Sequence, residues 1–443
     1  MKYKMHKTKF KQTEIGMIPE EWEVGHISDL VRVKAGYAFK SSDFTNHGIG
    51  VIKIKNINDG TVDLINTDKI SNDLFNSLSN DFVLSTGDVV IAMTGATIGK
   101  VGKLRDTDKK YVLNQRVARF ISNNKADLEF VFQYTKTKDW IDSINNYANG
   151  AAQQNISADG IASIAIPIPP ENERKQIAEI LSSFDDKIEL NQQMNKTLEE
   201  IGKAIFKHWF VDFEFPDEEG KPYKSSGGEM VYNEELEKEI PKGWRAGKLS
   251  DYFDFLEGPG IRNWQYANEG MRFINIRLIQ GGDIDISSAN FINQKDVDEK
   301  YQHFLLKEKD YILSTSGTLG RGAIVRKDHL PLLLNTSVIR FQPLDGKGYP
   351  FMYEYLKSDI FLNEQKILAS GSVQNNFGPT HLKRMKLLLP PSEILNIFND
   401  NMDKLYEKFT KNLEENNTLK SIRDSLLPKL VSGKIRVPLE GKE

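Results

Sequence analysis

The strongest constraint on this 443-residue chain is that it is written twice. Ile18-Pro-Glu-Glu-Trp22 returns as Ile240-Pro-Lys-Gly-Trp244, and Ile27-Ser-Asp-Leu30 returns as Leu249-Ser-Asp-Tyr252. Gly87-Asp88 and the run to Gly95 answer Lys309-Asp310 and the run to Gly317 at the same offset. After a one-residue deletion the matches continue. Leu113–Val117 pairs with Leu334–Val338, Asn149–Asn155 with Ser370–Asn376, Pro169-Pro170 with Pro390-Pro391, and Thr197-Leu198 with Thr418-Leu419. One such match is chance; a constant offset sustained over roughly 190 residues is an internal duplication. The period is too long for a solenoid repeat and suits two copies of a complete domain with an appended segment.

Each copy has two parts. The first holds short apolar or alternating runs broken by Gly, Asn, Asp and Ser, such as Val51–Lys55, Val89–Met93, Val117–Ile121, Phe273–Arg277 and Val338–Phe341. These spacings predict strands. Helices are expected near Ala126–Asn145 and Tyr349–Leu368, so each head is a mixed α and β domain, α+β in class.

The second part is a long helix. It follows Pro169-Pro170, whose prolines and acidic first turn mark a helix start. Leu181, Phe184, Ile188, Asn191, Asn195, Leu198, Gly202, Ile205 and Trp209 alternate in steps of three and four, a heptad seam. The second copy preserves the register as Met402, Leu405, Phe409, Asn412, Asn416, Leu419, Arg423, Leu426 and Leu430. A helix over Ile177–Trp209 is about 50 Å long at about 1.5 Å per residue. On a bland reading each helix packs on its own head; such a seam is longer than one small head covers, so the two helices are expected instead to pair as an antiparallel coiled coil, with the asparagines fixing register at a cost in stability. The expected molecule is a pseudo-twofold one, two heads separated by a bar. The plan is a basic tail over 1–17, a first head over 18–170, a central helix over 171–212, a linker over 213–239, a second head over 240–391, a distal helix over 392–433 and a tail over 434–443.

Two heads at fixed spacing suit a linear partner such as duplex DNA, whose same-facing sites recur about every 34–36 Å. Lys34, Lys53, Lys55, Lys100, Lys103 and Arg116 in head one, and Arg262, Arg272, Arg277, Arg321 and Arg326 in head two, sit in or beside turns. Such cations hold phosphates or read guanine; on a bland reading they belong to a solvated mixed-charge surface. The glycine loop Thr94–Lys100 and its partner Ser316–Arg321 present a terminal cation, yet lack the spacing of a nucleotide-binding loop. Gln153, Gln154, Gln374 and Asn375 can read adenine, or simply cap turns.

Composition narrows the chemistry. Cysteine is absent and histidines number seven. Thiol nucleophiles, disulfides and cysteine-based metal sites are excluded, and no zinc constellation or metal site is expected. No matched cluster of carboxylates with a lysine suggests a nuclease. Asp88 and Asp310 match, but a turn role suits them better than catalysis. The net charge of -3 does not exclude a local basic face. No run of about 20 apolar residues predicts a membrane span, and a cytoplasmic location is expected. The residues point to a binding chain without its own active site. A two-headed structural adaptor that pairs other proteins is the alternative.

The stretch Glu173–Glu200, continuing into Ala204–Phe213, resembles the central region of the specificity subunits of type I restriction-modification systems. The opening Ile18–Trp22, the Thr94–Lys100 loop and the distal Ile422–Gly433 extend the resemblance along nearly the whole chain. The resemblance implies that each head is a target recognition domain for one half of a bipartite, asymmetric double-stranded DNA sequence. It also implies helices that set the gap and dock two modification (methyltransferase) subunits, with up to two restriction subunits. No cofactor is then expected in this chain; S-adenosylmethionine, ATP and Mg would belong to the partners. The copies differ in places: the distal helix lacks the Glu-Arg-Lys-Gln entry, and Arg423 replaces Gly202 in the seam. The recognition faces are therefore expected to differ.

Overall fold

The computed structural model describes residues 8–58, 60–105, 107–148, 155–316, 319–369 and 377–437. The chain forms two compact units: residues 1–188 with 418–443, and residues 189–417. Each long helix is therefore shared, and the helices are not domains of their own. The reason lies in how they are buried. The helix ends bury a face wider than the seam against a head, whereas the middle buries little beyond the seam.

In the first unit, a six-stranded sheet runs Arg32–Ala35, Val117–Ile121, Val89–Ala92, Val101–Lys103, Gly60–Val62, Ile57–Asn58. A five-stranded sheet runs Val83–Leu84, Tyr111–Leu113, Ile49–Ile52, Asp68–Ile70, Phe44–Thr45. Strand Glu23–His26 pairs antiparallel with Ala165–Ile168, closing the head at its base just before the first long helix. Trp22 lies fully buried there with Ile27, Ile166, Ile177 and Leu181, and with Leu427, Leu430, Val431 and Val437 from the chain's other end. The second unit repeats the closure: Arg245–Lys248 pairs with Lys386–Leu389, and Trp244 is buried with Phe206, Phe210, Phe213 and Phe215. Its larger sheet runs Phe253–Glu257, Val338–Pro343, Tyr311–Ser314, Gly322–Ile324. The repeated Ile-Pro-x-x-Trp motif thus marks the seat of a helix end.

The strands fall where periodicity put them, with two local differences. Phe273–Arg277 is strand only at Phe273, after which Ile276–Leu278 turns as a 3-10 helix. The matching stretch of head one, Val51–Lys55, is strand only to Ile52, and Ile54–Asn56 turns as a 3-10 helix. The expected helices over Ala126–Asn145 and Tyr349–Leu368 are each two helices, Lys125–Tyr134 with Lys138–Ala148, and Tyr349–Lys357 with Asp359–Ala369. The breaks come from hydroxyl caps. Thr137 Oγ1 accepts the Trp140 N–H at 3.3 Å, and Ser358 Oγ accepts the Phe361 N–H at 3.3 Å.

The long helices run Glu171–Phe210 and Ser392–Val431, 40 residues each. The first helical bonds return to the prolines, Arg174 N–H to Pro170 O at 2.9 Å and Leu395 N–H to Pro391 O at 3.2 Å. Both helices end on the same six-residue return, Glu214 N–H to His208 O and Ile435 N–H to Lys429 O. Pairing is antiparallel within each unit. In the second, Asn191 Nδ2 donates to Asn416 Oδ1 at 3.0 Å, and Asn412 Nδ2 donates to Asn195 Oδ1 at 2.8 Å. In the first, Arg423 Nη1 meets Asp185 Oδ1 at 2.7 Å. Leu181, Ile188, Asn191, Asn195, Gly202, Met402, Phe409, Asn412, Asn416 and Leu430 are buried, and Phe184, Leu198, Ile205, Trp209, Leu405, Leu419, Arg423 and Leu426 are half-buried.

Three segments expected to be peripheral are built in. The acidic 213–239 stretch is not a free linker, because its aromatic residues outweigh its charge: Phe213 and Phe215 pack against Trp244, and Met230–Asn233 pairs with Lys238–Pro241. Of the tail over 434–443, the described residues 434–437 dock on head one through Arg436 and Val437. Within 1–17, Phe10–Thr13 forms a hairpin with Gly16–Pro19.

Candidate nucleic-acid interface

In head one, chain segments distant in sequence meet at one end of the larger sheet. Strand Val89–Ala92 runs out into Thr94, which bridges to Asn155. Met93 N–H donates to Arg116 O, and Ile156 N–H donates to Met93 O, both at 3.0 Å. Tyr37 joins by a bridge to Asn114. Gly36 admits this approach because a Cβ there would overlap the Leu113 and Asn114 carbonyls. Head two repeats the arrangement. Phe377 N–H donates to Thr315 O at 3.0 Å, Thr315 N–H to Ser337 O at 2.9 Å, and Thr336 N–H to Pro259 O at 3.0 Å. Gly258 lies against the Asn335 backbone as Gly36 lies against Asn114. In head one the glycine loop and Asn155, the described end of the second loop, are therefore neighbours in space; in head two Phe377 holds the place beside Thr315 that Ile156 holds beside Met93.

The glycine loop ends this apex. Gly99 has φ +79°, and a Cβ there would come within 2.7 Å of Ile144. Trp140 Nε1 donates to its carbonyl at 3.1 Å. The loop is thus pinned by a helix, and it aims Lys100 outward, exposed. Arg321 holds the same place, exposed, its backbone N–H on Ser314 Oγ at 3.1 Å and its carbonyl accepting from Ser314 N–H. Arg116 and Arg262 are also exposed, and Arg272 is half-buried. None of these five side chains has an acidic partner among the described residues. They are the cations free to meet an anion.

Other candidates are partly or wholly committed. Lys53 and Lys55 share Asp68, at 2.7 and 3.1 Å, and Lys53 also lies 3.7 Å over the Phe44 ring. The hydrogen bond from Lys53 holds the Asp68 carboxyl below its ordinary range. Lys34 lies 5.6 Å from the Phe82 ring centre. Arg277 donates to Ser288 O at 2.6 Å and to Asn290 at 3.0 Å, yet its side chain still lines an open cleft of about 780 Å³ with Arg321, Lys357 and Glu199. Two expectations are corrected. Lys103 turns inward to Glu129 at 2.5 Å, with only 15% of its side chain exposed. Arg326 is buried and held by Asp283 and Asp328. Both hold the fold together, because a desolvated cation must keep its carboxylate. Gln153, Gln154, Gln374 and Asn375 lie outside the described residues.

Asp88 and Asp310 serve turns. Asp88 Oδ2 accepts the Ser85 N–H and Asp310 Oδ2 the Lys307 N–H, each at 2.7 Å. Among the described residues no group of three His, Asp or Glu side chains is placed to hold a metal ion, and no helix is long and apolar enough to cross a membrane. Sequence reasoning missed Trp264, 83% exposed on the 3-10 turn after Arg262. The available signal was a tryptophan at the place where head one carries Ser42.

Comparison with known proteins agrees with the duplication. The family model described as the type I restriction modification DNA specificity domain matches residues 19–200 and again 241–421. The chain is 29% identical over 440 residues to the type I restriction enzyme MjaIX specificity subunit of Methanocaldococcus jannaschii, covering 97% of each chain. The HindI specificity subunit of Haemophilus influenzae is 28% identical, over 69% of this chain and 77% of that one. A crystal structure of a type I restriction-modification S subunit from M. genitalium shares the fold, with a TM-score of 0.55 at 19% identity, covering 96% of this chain and 99% of that one. Two family matches that divide the chain at its own repeat boundary, each carrying the same loop apex, identify it as a member of the type I restriction modification DNA specificity family.

Proposed function

We propose that the chain reads a bipartite, asymmetric double-stranded DNA target, one half with each apex, and presents it to partner subunits that carry the chemistry. The observation that supports this most is the repetition of one apex in two unlike versions. Loop, sheet end and an exposed cation, Lys100 or Arg321, are shared, while other residues that would face DNA differ: Arg116 against Ser337 and Ser42 against Trp264. Shared cations neutralise phosphates, and differing side chains read different bases. The antiparallel helices would act as the ruler between half-sites and as the dock for two modification subunits, with up to two restriction subunits beyond them. S-adenosylmethionine, ATP and Mg would then be held by those partners, and an adenine flipped from the duplex would enter a partner's pocket. This places the complex with the genome in the cytoplasm, and it makes the chain a non-catalytic subunit.

The test is reconstitution with type I modification (adenine methyltransferase) subunits, followed by mapping of methylated adenines. The expected result is one split, asymmetric sequence. Methylation without sequence preference by an intact complex would overturn the reading, and methylation by the chain alone would make it an enzyme. Lengthening both long helices by one heptad should widen the gap between half-sites and leave their sequences unchanged. An unchanged gap in a folded complex would remove the ruler.

A further inference from the structure

The two helix–head junctions are built on the same frame but filled with different chemistry. In the first unit, Asp185 on the first long helix is buried and accepts from Gln133 at 2.7 Å, Lys136 at 2.5 Å and Arg423 of the distal helix at 2.7 Å. The equivalent residues in the second unit are Glu354 for Gln133, Lys357 for Lys136, Tyr406 for Asp185 and Gly202 for Arg423. There the acid sits on the head: Tyr406 donates to Glu354 at 2.5 Å. The incoming helix must be bare, since a Cβ on Gly202 would overlap the Glu354 carboxyl.

A second layer differs in the same way. In the first unit Glu173 is 1% exposed and accepts from Trp22 Nε1 at 2.9 Å and from Arg436 at 2.6 and 2.8 Å. In the second, Ile394 replaces Glu173 and Phe215 replaces Arg436, tilted against Trp244 with ring centres 5.2 Å apart. Between these layers, Leu427, Leu430 and Val431 fill the first junction, whereas Phe206, Trp209 and Phe210 fill the second.

We propose that these junctions form a lock that admits only unlike halves. The first head with its own helix accepts the end of the distal helix and rejects a second copy of the first. The physical reason is what a like pairing would bury. Two first halves would set Gly202 and Phe215 where Arg423 and Arg436 belong. Glu173 would be left buried with only an indole, Asp185 would lose its arginine, and three aromatic rings would enter space shaped for leucine and valine. Two second halves would bring Arg423 onto Gly202's place and leave Arg436 against Trp244 and Ile394 without a carboxylate. The surface therefore fits the complementary half of the chain and disfavours its own kind. Resting on the DNA reading above, the consequence is that the chain is held to two different heads and so to an asymmetric target.

The test uses a full-length chain in which residues 240–437 are replaced by a second copy of residues 18–216. The lock predicts that this chimera is insoluble or melts about 10 °C or more below the parent. Writing Gly202→Arg, Phe206→Leu, Trp209→Leu, Phe210→Val and Phe215→Arg into the second copy alone should recover at least half of that loss. A chimera that melts with the parent, or five substitutions that recover nothing, would overturn the lock. A rescued chimera reconstituted with the methyltransferase should modify a symmetric target made of the first half-site twice. If it folds and modifies no such target, the lock stands and the DNA reading fails.

Discussion

The buried asparagines make the sharpest stability prediction, because single and paired substitutions should have opposite signs. Asn191 Nδ2 donates to Asn416 Oδ1 at 3.0 Å and to Glu415 at 2.9 Å, with Asn191 fully buried and Asn416 3% exposed. The Asn191 Oδ1 atom has no hydrogen-bond partner among the described residues. Replacing Asn191 by Leu removes that orphan and adds apolar contact worth about 1 kcal/mol, but strands the Asn416 acceptor at a cost of about 1–3 kcal/mol. The net loss is about 1 kcal/mol, or about 2–4 °C in Tm for a unit of this size. Replacing Asn416 as well leaves no unpaired amide behind; Glu415 loses the Asn191 donor but is only half-buried, and the pair gains about 1–2 kcal/mol over the parent, since apolar side chains of similar volume pack without desolvation cost. Differential scanning calorimetry of the parent, the two single variants and Asn191→Leu/Asn416→Leu closes the cycle. The expected order is singles below parent and pair above it. A pair that melts below both singles would refute the reasoning and show that Glu415 and the amides form one stabilising network. The more stable pair should also loosen register: methylation mapping should show a mixture of gaps in place of one.

Lys100→Ala and Arg321→Ala should each weaken DNA binding by the reconstituted complex and lower the magnitude of the salt slope by about 1. Damage should fall on one half-site in each case, read by binding titrations at several salt concentrations. Glu173→Ala removes the acceptor of both Arg436 and Trp22; it should cost about 2–4 kcal/mol, discounted because Arg436 is partly exposed. Limited proteolysis should then cut after residue 433 faster than in the parent. Acid stability follows from Asp185. Burial pushes its carboxyl up, but Lys136, Gln133 and Arg423 together hold it below the ordinary range. A lowered folded value means stability that is present above the unfolded carboxylate pKa and lost as pH falls through the folded one. Melting temperature against pH should show this acid limb, and Asp185→Asn should flatten it.

The fold was legible where burial repeats with a period. The heptad seam named the helix faces, and the tryptophan motif and proline pairs named the helix seats and starts. What the seam could not show was width. Phe206, Phe210, Tyr406 and Leu427 are buried one position beside the heptad stripe, because each helix end meets a head as well as a helix. Composition misled over 213–239: the acidic residues suggested a linker, yet two phenylalanines two residues apart decide its fate by filling the space around Trp244. The split of each expected helix was written in Thr137 and Ser358, polar caps inside an apolar period that the period outvotes.

The binding face was less legible, for a reason specific to charge. A cation's role depends on the carboxylate it meets, and that carboxylate is distant in sequence. Lys100 and Lys103 stand three residues apart on one turn and strand, yet one faces solvent and the other faces Glu129, 26 positions on. Arg321 and Arg326 diverge in the same way, the second captured by Asp283, 43 positions back. Those partners come from elements that only folding brings together, so residue type and local turn signals select both members of each pair equally. The duplication supplies the missing discrimination. Lys100 and Arg321 occupy matched positions and both remain exposed cations, whereas Lys103 is matched by Ile324 and Arg326 by Arg105, itself bound to Asp186 at 3.2 Å. A charge kept at the same exposed place in both copies, without an internal partner in either, is the pattern expected of a shared phosphate contact; a charge that one copy replaces with an apolar side chain, or that both copies pair internally, belongs to the fold.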